Sequence, residues 1–175
     1  MKTQYSFKND DGKVIPFYKF SYQKDFSSVL RVRKTKYNRQ YLFADGTYLP
    51  QFISSETAKQ FDFNSNYVVF EKAMLIIVHA FAGYNVISDL DNYTYKPFID
   101  TIRKLKIIED DTWRESSITN IGVLSEEEKI DLYVVPFQHY IDFLIHELKY
   151  IFTEDFNIQS IREKEEMEKL ANDFF

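Results

Sequence analysis

Hydrophobic and polar positions divide this chain into elements of both kinds. Residues 14–22, VIPFYKFSY, alternate loosely and predict a strand. Residues 67–81, YVVFEKAMLIIVHAF, are rich in β-branched and aromatic side chains and predict a long, mostly buried strand. Between 92 and 106 the period changes. Tyr95, Ile99, Ile102 and Leu105 recur every three to four residues, which predicts a helix. Pro97 is tolerated only in a first turn, so that helix begins close to Lys96. Residues 112–123 and 130–137 predict two more strands. The acidic turn SEEEK joins them, and a hairpin is the simple assignment. Residues 54–61 predict a short helix capped by Ser54 or Ser55. Residues 138–152 predict an amphipathic helix with Ile141, Leu144, Ile145, Leu148 and Ile151 on one side, and residues 158–173 a highly charged one.

The fold class expected from this order is α+β: a mixed β-sheet packed on a central helix, followed by a helical C-terminal extension. The division falls at 137/138, with residues 1–137 as the α+β domain and 138–175 as the extension. The stripe between Ile141 and Ile151 suits core, a dimer contact or a partner surface.

Composition narrows the class. With 45% hydrophobic and 18% aromatic residues, the chain has the material for a packed core and is not disordered. It has no cysteine, which excludes disulfides, thiolate-bound zinc and cysteine nucleophiles. The segment MKTQYSFKNDDGK lacks the apolar core of a signal peptide, and the apolar run from Ala73 to Gly83 is too short to span a bilayer. The expectation is a soluble cytoplasmic protein with no membrane partner.

Charge is uneven. The net charge of −5 divides into +5 over residues 1–62, −5 over 63–137 and −5 over 138–175. In the middle part the deficit lies largely in DLDNYTYKPFIDTIRKLKIIEDD, residues 89–111. There Asp89, Asp91, Asp100, Asp110 and Asp111 gather around Lys96 beside apolar segments. Carboxylates held close together repel unless a cation neutralises them. Oxygen donors of this kind suit Mg²⁺, with Mn²⁺ as a substitute. Taken one at a time, each Asp also has a plainer account: Asp91 or Asn92 as a helix cap, Asp110-Asp111 as a turn, Asp100 as an i,i+4 partner of Lys96.

The order of these residues resembles the RusA-type Holliday junction resolvases, a family common in bacteriophages and prophages. The matching positions are Asp89-Leu90-Asp91-Asn92, Lys96-Pro97, Asp100 and Asp110-Asp111, with a strand before, a helix within and strands after, over residues 66–137. The resemblance implies a homodimeric, Mg²⁺-dependent endodeoxyribonuclease that cuts four-way DNA junctions in recombination and repair. By position it implies Asp89, Asp91 and Asp111 as metal-binding carboxylates, Lys96 as the assisting lysine, and Asn92, Asp100 and Asp110 as support. The turn between Asp91 and Lys96 is one residue longer than the family spacing, the preceding loop AGYNVIS carries no basic residue, and the acidic extension lies outside the family core. These departures motivate two alternatives: a non-catalytic relative that binds a protein partner through residues 138–175, and a nuclease on other branched or single-stranded DNA.

Arg31, Arg33, Lys34, Lys36 and Arg39, interleaved with Tyr37 and Tyr41, suit DNA phosphates or a charged edge strand. His79 is expected to be a satisfied core or surface histidine. His139 and His146 suit packing, and Glu126, Glu127 and Glu128 a solvated turn.

Overall fold

The computed structural model describes residues 3–30, 41–82, 90 and 93–153. Their centre is a five-stranded mixed sheet in the order β1-β2-β5-β3-β4. The strands are β1 (Gln4–Lys8), β2 (Val14–Gln23), β3 (Ala73–Ala82), β4 (Ser116–Ser125) and β5 (Lys129–Pro136). Five helices accompany them: α1 (Ser27–Leu30), α2 (Leu49–Gln60), α3 (Lys96–Leu105), α4 (Tyr140–His146) and α5 (Lys149–Thr153). The α+β class with a mixed sheet packed on helices is therefore the observed one.

AMLIIVHA reads as unbroken hydrophobicity because β3 is buried on both faces. Leu75, Ile76 and Ile77 have no exposed surface. Burying each stabilises the fold by about 1.5–3 kcal/mol relative to exposure. Alternate residues serve different layers. Leu75 and Ile77 join Tyr18, Phe20 and Tyr22 of β2, Ile53 of α2, and Phe98 and Ile102 of α3. Met74, Ile76 and Val78 join Phe7, Phe17, Tyr133 and Phe143 on the opposite face. Three layers result, with α2 and α3 on one side of the sheet and α4 on the other.

The expected hairpin does not form. β4 pairs with β3 in parallel, from Ala73↔Ser116 to Ala82↔Ser125. β5 pairs with β3 on its other edge, antiparallel, from Ala73↔Pro136 to Ala80↔Lys129. Strands β4 and β5 thus straddle β3, and residues 126–128 bridge its end. Two strand spacings measure about 9.6 Å. The four steps from Ser125 to Lys129 reach about 13 Å when extended, so the short link is long enough. SEEEK contains no Gly, Asn or Asp to supply the positive φ of tight hairpin turns, which is the cue against a hairpin.

Other boundaries shift for local reasons. β1 was not anticipated; it pairs with β2 through a turn at Gly12, whose φ of 76° is in the left-handed region. α2 begins at Leu49, ahead of the expected 54, because Pro50 sits in its first turn; its N-cap, Tyr48, makes no side-chain cap bond. β3 begins at Ala73, behind the expected 67; Tyr67, Val68 and Val69 are exposed and only Phe70 bridges, to Ile108. α3 begins at Lys96 as expected and ends at Lys106, a left-handed cap with φ 61°.

The expected single helix over 138–152 is broken into a 3₁₀ turn, α4 and α5. Its expected apolar side is divided as well. Leu148 is buried and Leu144 and Ile151 pack partly against the core, whereas Ile141 and Ile145 are 60% and 55% exposed; Phe143, outside the expected stripe, is buried. Phe143 meets Phe7 at 5.7 Å and Phe17 at 4.9 Å between ring centroids, both edge-on, so this part of the extension packs on the sheet. The charged helix expected over 158–173 lies outside the described residues. Among the described residues no helix is long and apolar enough to cross a membrane.

Two stability outcomes follow. Phe143→Ala is expected to destabilise the chain by about 3–5 kcal/mol, because a buried ring is replaced by a cavity. Urea unfolding checks this, and a change below about 1 kcal/mol would show that α4 does not belong to the cooperative unit. Lys106→Gly is expected to stabilise by about 1 kcal/mol, by removing the cost of a Cβ in the left-handed region. A lower unfolding midpoint in that variant would contradict the cap assignment.

Candidate functional site

The acidic segment is reached from the end of β3 and runs back through α3 to β4. Leu90, between the two aspartates of the DLD motif, is anchored on the sheet. A Cβ on Gly122 would lie 3.3 Å from Leu90 Cδ2 and 3.4 Å from Phe81 Cε2, so the glycine leaves room for both. The Leu90 carbonyl accepts the Tyr93 N–H at 3.2 Å. Asp89, Asp91 and Asn92 lie outside the described residues, as do Arg31, Arg33, Lys34, Lys36 and Arg39.

α3 carries the next charges on one exposed side. Lys96 donates to Asp100 at 2.9 Å, the expected i,i+4 pair. The hydrogen bond to Asp100, and then its charge and that of Asp111, push the Lys96 ammonium pKa up. Lys96 therefore remains a cation through neutral pH.

One further turn along, Arg103 reaches Asp111 at 3.4 Å and Asp110 at 4.0 Å. Ile107 and Ile108 fix that return of the chain. Both are fully buried, and the Ile107 carbonyl accepts the Phe70 N–H at 2.9 Å. Asp110 Oδ1 accepts the Asp111 N–H at 2.8 Å, so Asp110 shapes the turn. That bond, with Asp111 and Arg103 nearby, holds the Asp110 carboxyl below its ordinary range. Lys96 and Asp100 thus form one pair on α3, and Arg103, to which the sequence assigned no role, ties Asp110 and Asp111 to the same helix. Among the described residues no group of three or more His, Asp or Glu side chains is arranged to hold a metal ion.

A second set of polar groups lies under this segment. His79 is fully buried, as a core histidine. Its Nδ1 is 2.9 Å from Tyr95 Oη and its Nε2 is 2.9 Å from Glu128 Oε1. Phe81 stacks on its ring at 3.8 Å, and Tyr93 and Phe26 meet it edge-on. Glu128 also accepts the Ser27 hydroxyl at 2.6 Å. Only 11% of its side chain is exposed, which corrects the reading of Glu128 as part of a solvated turn. The reason is topological: the bridge over the end of β3 carries Glu128 onto His79, a contact that no local pattern announces.

Burial alone would raise the Glu128 carboxyl pKa, but hydrogen bonds from His79 and Ser27 bring it below the ordinary value of 4.5. Burial and the neighbouring Glu128 push Asp25 the opposite way. The remaining histidines make surface pairs, His139 with Asp142 at 3.3 Å and His146 with Asp10 at 3.2 Å. No family model matches the chain, and no curated protein matches it.

The Glu128 carboxyl binds protons less readily folded than unfolded. Its contribution to stability is therefore fully present above about pH 4.5 and is lost as pH falls through the lowered folded value. Asp25 runs in the other sense, costing stability as pH rises from its ordinary 3.8 toward its raised value. Glu128→Gln is expected to flatten the acid limb of the stability curve, seen as a smaller loss of urea midpoint between about pH 5 and about pH 3. An unchanged slope would mean that the carboxylate contributes nothing through this network.

Proposed function

We propose that this chain is a metal-dependent endodeoxyribonuclease of the RusA kind, hydrolysing phosphodiesters in branched DNA. The observation that carries the reading is the pairing of α3 cations with the acidic residues of the motif, Lys96 with Asp100 and Arg103 with Asp110 and Asp111. The order and spacing of Asp89, Asp91, Lys96, Asp100, Asp110 and Asp111 support it from the sequence.

The donor set fits Mg²⁺: carboxylate oxygens only, with no cysteine in the chain. Asp111, with Asp89 and Asp91, would hold it. Bound there, such an ion lowers the pKa of its water and stabilises the oxygens of an in-line displacement. Lys96, exposed and cationic, faces the scissile phosphate and offsets its developing charge. Asp100 aims Lys96, and Arg103 with Asp110 sets the direction of Asp111. The basic run Arg31, Arg33, Lys34, Lys36 and Arg39 supplies contacts to the DNA backbone, with the salt dependence such contacts carry. A homodimer in the cytoplasm, cutting a two-fold junction symmetrically, completes the reading.

A second reading, a non-catalytic protein that binds a partner through residues 138–175, draws on the exposure of Ile141, Ile145 and Tyr150. The two separate in one experiment. Under the nuclease reading, the full chain cleaves a synthetic four-way junction with Mg²⁺. Asp111→Asn lowers cleavage by about a hundredfold or more while junction binding persists. Isothermal titration with Mn²⁺ registers binding in the wild type that weakens in the variant. Undiminished cleavage by Asp111→Asn would sink the assignment of this site. Absence of both cleavage and Mn²⁺ binding in the wild type would favour the partner-binding reading.

A further inference from the structure

Lys96 stands at the start of a helix whose first turn has no side-chain cap. The N-cap residue is Tyr95, and its own side chain makes no capping bond. Its carbonyl nevertheless accepts the N–H of Phe98 at 3.0 Å and of Ile99 at 3.4 Å. The position of this first turn therefore follows the position of Tyr95. Tyr95 is buried, and its hydroxyl is fixed on His79 Nδ1.

His79 is held in turn from every side. Phe26 approaches from the entry to α1, Phe81 from β3 itself, Tyr93 and Tyr95 from the connection before α3, and Glu128, itself bonded by Ser27, from the bridge between β4 and β5. A leucine at this position would satisfy the apolar surroundings as well as its neighbours Ile77 and Val78 satisfy theirs. What an imidazole adds is two nitrogen atoms, each used once, in opposite directions. The Glu128 carboxylate accepts from Nε2, and the tyrosine hydroxyl, which can donate or accept, complements Nδ1. The result is a chain of directed bonds from the β4–β5 bridge, through the core, to the residue before Lys96.

We infer that His79 and Glu128 are positioning residues for Lys96, acting through the Tyr95 hydroxyl to fix the first turn of α3 against the end of β3. This rests on the reading of Lys96 as the phosphate-facing cation. Neither His79 nor Glu128 touches substrate. Their effect is on where the ammonium stands, and so on the rate of the chemical step more than on junction affinity.

Tyr95→Phe tests this in the full chain, because it deletes one oxygen and keeps the ring. Tyr18→Phe is the matched control. It removes another buried hydroxyl of the same core, bonded to the Val68 backbone at 2.7 Å, away from α3. Two measurements are made: junction cleavage with Mg²⁺, and amide hydrogen exchange at Phe98 and Ile99.

Tyr95→Phe is expected to lower kcat about tenfold with KM nearly unchanged, and to speed exchange at both amides about tenfold; Tyr18→Phe is expected to do neither. Equal effects of the two variants on kcat, or unaltered exchange in Tyr95→Phe, would overturn the inference. If the wild type does not cleave, the nuclease reading fails by itself. The exchange measurement then decides whether His79 and Tyr95 fix this turn: selective acceleration in Tyr95→Phe sustains it, and none refutes it.

Discussion

The burial of β3 on both faces and its pairing along both edges is the constraint from which the rest follows. A strand of this composition, AMLIIVHAFA, is insoluble as an edge and wasteful as a half-exposed strand. It needs a neighbour on each side and a layer above and below. The chain supplies the neighbours from one continuous stretch, β4 and β5, which can flank β3 only if the link between them passes over its end. It supplies the layers from α2 and α3 on one face and α4 on the other.

That arrangement also explains where the polar groups go. The ends of β3, β4 and β5 meet near the point where the acidic segment leaves the sheet. A histidine placed near the end of β3 is then covered by the link above it and by the connection to α3 beside it. Buried polar atoms need partners, and here both nitrogen atoms of His79 have one. Packing and site geometry are thus one problem: the same aromatic side chains that seal the end of the sheet, Phe81, Tyr93 and Tyr95, carry the segment bearing Leu90 and Lys96.

Legibility in the sequence followed the range of the interaction. α3 was readable almost to the residue, because Pro97 and the recurrence of Ile99 and Ile102 are local signals. The Lys96–Asp100 pair was readable for the same reason. β2, β4 and β5 were readable as strands, but not the pairing of the last two, since alternation says which face a residue takes and nothing about its neighbour. Glu128 and Arg103 escaped for the same cause. The partner of Glu128 is 49 positions away, across a strand that the reading had not placed between β4 and β5. Arg103 stood in plain view in the acidic stretch, but its link to Asp111 depends on Ile107 and Ile108 turning the chain back into the core.

The Arg103–Asp111 pair bears directly on what the site can do. At 3.4 Å it is longer than the roughly 2.7–2.9 Å of a strong charge-assisted bond. The Arg103 side chain is 43% exposed and that of Asp111 22%. A pair so open to water contributes about 0–1 kcal/mol. Under the proposed function, such a pair is weak enough to be exchanged for a divalent ion, whose greater charge and shorter oxygen contacts would outweigh it. Lys96 is paired with Asp100 instead. Two of the cations of α3 thus face different carboxylates: Arg103 faces Asp110 and Asp111, and Lys96 faces Asp100.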